Sequence, residues 1–123
     1  MGELLAQHQL KGQDICDRTR AFALRIIKLY QALEKHGAGQ VLGKQLLRSG
    51  TSIGANVEEA QAGHSKADFA FKMNIALKET RETRYWLTLI QDAELMQPTR
   101  LASILEETEE IIKILYTIIQ KNR

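Results

Sequence analysis

Residues 48–86, RSGTSIGANVEEAQAGHSKADFAFKMNIALKETRETRYW, decide how the rest of the chain is read. The stretch has the pattern of a helical hairpin. At about 100° per residue, Leu42, Leu46, Ser49, Ile53, Val57 and Ala60 share one stripe, and Gly43, Gly50 and Gly54 line the stripe beside it. A glycine inside a helix costs about 1 kcal/mol relative to alanine, so this line of glycines predicts a compensating close approach by another helix. Arg48, Ser52, Asn56 and Glu59 form a polar row along the edge of the core. Polar groups at such an edge need partners, and the row is expected to pair across the hairpin with Thr80, Thr83 or Arg84.

The hairpin closes through Ala62-Gly63-His64-Ser65. Gly63 suits the left-handed residue that ends a helix, and Ser65, three places before Asp68, suits an N-cap with an acidic first turn. The second arm carries two apolar faces. Phe69, Met73, Ala76, Thr80, Thr83, Leu87 and Ile90 lie together, whereas Phe71, Ile75, Tyr85 and Leu89 lie nearly opposite. A helix in a monomeric bundle needs one such face, so the second predicts a cover supplied by another chain.

Outward from this hairpin, 123 residues with 44% hydrophobic and 26% charged content suit one domain able to bury its own core. One proline, few glycines and no run alternating with period two indicate an all-α fold. Residues 1–13 show no sustained pattern and are expected to be a frayed lead. From Asp14, a cap candidate, Ile15, Thr19, Phe22, Ile26, Leu29 and Leu33 repeat at fours and threes up to the breaker run His36-Gly37-Ala38-Gly39. Beyond the hairpin, Pro98 suits the first position of a last helix whose face includes Leu101, Ile104, Leu105, Thr108, Ile111, Ile112, Leu115, Ile118 and Ile119. The expected helices are 14–35, 40–61, 66–93 and 98–121, joined by short turns into an up-down-up-down antiparallel bundle. The last helix widens its apolar face between Ile111 and Ile119, a second sign of self-association. Phe71, Ile75, Leu89, Ile114 and Ile118 are accordingly the candidate oligomer interface.

Net charge is only +2, yet residues 18–48 hold seven Lys or Arg against the single acid Glu34, while residues 94–110 hold five acids against Arg100. Arg18, Arg25 and Lys28 fall on a sector of the first helix away from its core stripe. Together with Lys44 and Arg48 they are the candidate nucleic-acid contacts, and no aromatic side chain stands among them to stack on bases. The single Cys16 excludes an internal disulfide and a multi-cysteine zinc site, and fits a reducing compartment. No apolar run approaches the roughly 20 residues that span a bilayer, and no positively charged start leads into one, so a cytoplasmic location is expected. A di-metal bundle would need Glu-x-x-His pairs, which do not occur; nor do a phosphate loop or a nucleophile–base pair. No metal, cofactor or catalytic residue is therefore expected.

The run Ser52-Ile53-Gly54-Ala55-Asn56-Val57-Glu58-Glu59-Ala60, followed by Ser65-Lys66-Ala67-Asp68-Phe69 and Ile75-Ala76-Leu77-Lys78-Glu79-Thr80, resembles the four-helix-bundle family encoded in bacterial 23S rRNA intervening sequences. That family includes proteins similar to the accessory variability protein of diversity-generating retroelements. The resemblance covers roughly residues 14–120. Asn56 and Glu59 fall on the Asn and Glu of its Ala-Asn-(Ile/Val)-x-Glu motif, whereas Glu58 stands where many relatives carry alanine and Ala60 where many carry glycine. The resemblance implies a homopentameric ring, and as partners structured RNA or a reverse transcriptase. Together these features lead to the expectation of a non-enzymatic oligomeric scaffold with weak, largely sequence-nonspecific RNA binding. The competing expectation is a ring-forming structural protein of unknown function whose basic residues only keep it in solution.

Overall fold

The computed structural model describes the backbone of residues 2–123 and the side chains of residues 15–123. Four helices follow one another: α1 (Gly2–Ala32), α2 (Gly37–Gln61), α3 (Lys66–Asp92) and α4 (Pro98–Lys121). Each packs against its successor through a short turn, and α4 closes back on α1. The contact is most extensive between α2 and α3 and least between α1 and α4. The fold is thus an all-α four-helix bundle, with no strand among the described residues.

The apolar stripes pack as their spacing requires. Ile15, Thr19, Phe22, Ile26 and Leu29 of α1, and Leu33 just past its end, are buried, facing Leu46, Ile53 and Val57 of α2, Met73, Leu87 and Ile90 of α3, and Leu101, Ile111 and Leu115 of α4. Each large side chain withdrawn from water contributes about 1.5–3 kcal/mol before the ordering entropy is subtracted. Thr19, Thr80 and Thr108 enter this core at little cost because each hydroxyl donates to the carbonyl of Ile15, Ala76 or Ile104 one turn earlier.

The glycine line is where α1 comes close. A methyl group on Gly43 would meet Tyr30 and Leu33, one on Gly50 would meet Ile26, and one on Gly54 would meet the backbone of Thr19 at 3.4 Å.

The helix ends depart from expectation at four places. α1 begins at Gly2 rather than at residue 14: residues 2–13 contain good helix formers and no proline, and the cost of Gly12 is too small to stop a helix already propagating. Asp14 therefore lies within α1 rather than at its cap. At the other end α1 stops at Ala32 rather than 35, with the Leu33 N–H shared between the carbonyls of Leu29 and Tyr30. α2 starts at Gly37 rather than Gln40, because Gly37 alone, at φ +64°, takes the left-handed turn. Gly39 already sits in α2, where lack of a side chain lets its backbone lie beside the Glu34 carbonyl.

Gly63 is not left-handed, contrary to expectation. Its small size matters instead: a methyl group there would meet the Ala60 carbonyl oxygen at 3.1 Å and the Phe69 nitrogen at 3.3 Å. Ser65 caps α3 as its spacing predicts, its Oγ accepting from the Asp68 N–H at 3.0 Å. Glu94, at φ +58°, turns the chain out of α3, which ends at Asp92 rather than 93, and Pro98 opens α4.

Candidate nucleic-acid interface

The five candidate cations do not form one surface. Arg18 leaves α1 toward α4, where its Nε and Nη2 donate to the two oxygens of Glu107 at 3.1 and 2.7 Å. This forked, half-buried pair neutralises Arg18, which was expected to point to solvent or a ligand. Its azimuth on α1 falls on the α4 side of the helix, and that side is covered once α4 packs. Arg48 is likewise engaged, with Nη1 3.3 Å from Glu79 and Nη2 on Glu82 of α3. Arg25 is exposed and its Nη2 donates to Ser103 Oγ at 2.9 Å. Lys28 and Lys44 are exposed, and neither forms an ion pair with a described residue.

Arg100, at the third position of α4, joins them. Arg25, Lys28 and Arg100, with Leu29 and Ile104, line a surface hollow of about 220 Å³ between α1 and α4. In the sequence Arg100 stands as the one cation among the five acids of residues 94–110 and is not among the candidate contacts. The signal that could have found it is its place one turn before Ser103 and Ile104, on the edge of α4 that an antiparallel α1 must meet.

The polar row on α2 pairs only in part as expected. Arg48 and Glu59 do cross to α3, Glu59 through Lys72 Nζ at 2.9 Å. Ser52 and Asn56 do not cross: Ser52 Oγ donates to the Arg48 carbonyl at 2.7 Å and Asn56 Nδ2 to the Ser52 carbonyl at 2.8 Å, both within α2. A short side chain can reach the carbonyl four residues back without any partner helix, and this local bond wins here. Thr80 bonds within α3 and Arg84 reaches Glu109 of α4 at 3.0 Å, so neither serves the row. The buried link across this seam is instead Thr83 Oγ1 to Ser49 Oγ at 2.9 Å: Thr83 does cross to α2 as expected, but to Ser49 of the core stripe rather than to the polar row.

Of the candidate interface residues, Phe71 is 65% exposed, Ile75 and Leu89 are half-buried on the same side of α3, and Tyr85 beside them is 57% exposed. Ile114 and Ile118 pack partly against the chain's own core. They therefore offer less free surface than the wide apolar face of α4 suggested.

Among the described residues, no group of three His, Cys, Asp or Glu side chains is arranged to hold a metal ion. Burial, followed by the carboxylates of Glu58 and Asp17, raises the Cys16 thiol above its ordinary value and disfavours the reactive thiolate. No helix of the described residues is long and apolar enough to cross a membrane.

None of the curated proteins matches this chain. Among solved structures it is similar to a protein of unknown function from the S23 ribosomal protein family of Bacteroides thetaiotaomicron. The two are 44% identical with a TM-score of 0.81, over 89% of this chain and 98% of that one. The 23S rRNA-intervening sequence protein family matches residues 11–117. With that match spanning all four helices, the chain belongs to the 23S rRNA-intervening sequence protein family.

Proposed function

We propose that this protein is a non-enzymatic, homo-oligomeric scaffold of the cytoplasm that binds RNA weakly and with little sequence preference. The observation that carries the reading is the set of exposed cations Arg25, Lys28, Lys44 and Arg100, none of which meets a carboxylate among the described residues. Cations left unpaired on a folded surface suit phosphate, whose neutralisation releases counterions and supplies affinity without reading bases. A single chain offers few such contacts. Repetition around an oligomer, a pentameric ring by family resemblance, makes each later contact intramolecular and multiplies the effect.

Self-association is supported by Phe71 and Tyr85, large apolar side chains more than half exposed on one face of α3. Such a face is what a second copy would cover.

A scaffold without nucleic-acid affinity is the second reading, favoured by the engagement of Arg18 with Glu107 and of Arg48 with Glu79 and Glu82. A gel-shift series with a structured RNA separates the two. Binding that weakens linearly in log K against log salt supports the first; absence of a shift at low salt leaves the second.

A further inference from the structure

The geometry points to the hollow between α1 and α4 as the place where a phosphate group carried on a nucleic-acid chain is held. This assignment rests on the RNA-binding reading above and names its contact site. Three cations from two helices, Arg25, Lys28 and Arg100, surround the hollow, and its floor is the apolar pair Leu29 and Ile104. Both floor residues are buried, so they bring neither a donor nor a counter-charge. Glu107, a carboxylate one turn along α4 from Ser103, is already forked onto Arg18.

The positive charge therefore has no internal answer among the described residues. Like charges gathered on neighbouring turns repel one another, and an anion entering between them removes that repulsion while gaining attraction from all three. The N-terminal turn of α4, which contains Arg100, adds the positive end of its backbone dipole. The exposed bond from Arg25 Nη2 to Ser103 Oγ, at 2.9 Å, links the two helices here while using one of the five guanidinium N–H groups.

Size selects the ligand class. The hollow holds about 220 Å³, below the roughly 300–1,000 Å³ of pockets that enclose whole small molecules. It fits a group rather than a molecule, and the rim offers only donors. A phosphate with its attached sugar edge meets both conditions, and the base is left outside and unread.

The test compares Arg100→Gln and the double variant Arg25→Gln with Lys28→Gln against Lys113→Gln. The last is an exposed α4 cation outside the hollow that controls for net charge. All four positions are exposed, and circular dichroism checks that each variant folds. RNA binding is followed by salt titration of fluorescence anisotropy, and inorganic phosphate is titrated separately against backbone amide resonances. The expected result is that each hollow variant binds RNA several-fold more weakly and lowers the slope of log K against log salt by about 0.7–0.9 per phosphate lost, while Lys113→Gln matches the wild type. Inorganic phosphate should shift the resonances of residues 25, 28 and 100 in the wild type and not in Arg100→Gln. If the wild type binds RNA and the hollow variants bind it equally well, the hollow is overturned and the RNA reading stands. If the wild type shifts with phosphate yet binds no RNA, the RNA reading fails and the chain-borne source of the phosphate with it. If Arg100→Gln instead dissociates the oligomer, the hollow holds a carboxylate of a second copy, which also overturns the assignment.

Discussion

Ile26 on α1 occupies the space that a side chain on Gly50 of α2 would need: a methyl group there would lie 2.8 Å from both Ile26 Cγ1 and Cγ2. Ile26 is fully buried and branched at Cβ, so it cannot swing aside. Gly50→Ala gains about 1 kcal/mol of helix propensity and loses about 1–3 kcal/mol to overpacking. The expected outcome is a net loss of about 1 kcal/mol, a fall of roughly 4 °C in Tm. A melt at or above the wild-type temperature would show that α1 can retreat from α2 at little cost.

The buried hydroxyls of Ser49 and Thr83 make a second prediction through the difference between one partner lost and two. Thr83→Val leaves the Ser49 hydroxyl with only its 3.3 Å contact to the Leu46 carbonyl and should cost about 1 kcal/mol. Adding Ser49→Ala removes the hydroxyl left with only that weaker contact, and the double variant should recover part of that loss. Urea unfolding of the four proteins of this cycle gives the coupling; strictly additive losses would mean that the two hydroxyls do not depend on each other.

Asn56→Leu should change thermal stability little, by about 0.5 kcal/mol or less. The Asn56 amide spends its hydrogen bond on the Ser52 carbonyl of its own helix and is only half-buried, so no group on α3 is orphaned when it goes. Thermal denaturation followed at 222 nm checks this, and a drop of many degrees would restore a cross-helix role for the motif asparagine.

Phe71→Glu combined with Ile75→Glu should yield folded monomers. Phe71 is 65% exposed, so the substitutions leave the chain's own core in place and act on the face proposed above for self-association. Light scattering with circular dichroism reads both halves of the expectation; a helical variant that keeps the wild-type mass moves the assembly surface elsewhere.

Cys16 should alkylate slowly in the folded protein. Its thiol is raised above the ordinary value by burial first and then by Glu58 and Asp17, so the thiolate is scarce at neutral pH. A raised folded value means that the stability Cys16 contributes is fully present below the unfolded thiol's pKa and fades as pH rises through the higher folded one. Iodoacetamide at pH 8 should react faster in urea than in buffer, and equal rates would show an exposed, unperturbed thiol.

By itself the sequence determined which residues turn inward. The repeat Ile15, Thr19, Phe22, Ile26, Leu29, Leu33 is buried throughout, and Leu46, Ser49, Ile53, Val57 and Ala60 follow it on α2, because apolar spacing within a helix fixes a face whatever the partner is. The glycine line was legible for the same reason, and the structure adds that α1 is the helix it admits. The polar and charged partners were decided only by the tertiary structure. Whether Arg18 meets phosphate or Glu107, and whether Thr83 serves Asn56 or Ser49, depends on the rotation and register of one helix against another. Periodicity within a single helix carries no record of either. The gathering of Arg100 with Arg25 and Lys28 belongs to the same class: Arg100 lies 72 positions beyond Lys28 in the chain, and only the packing of α4 beside α1 brings them to one hollow.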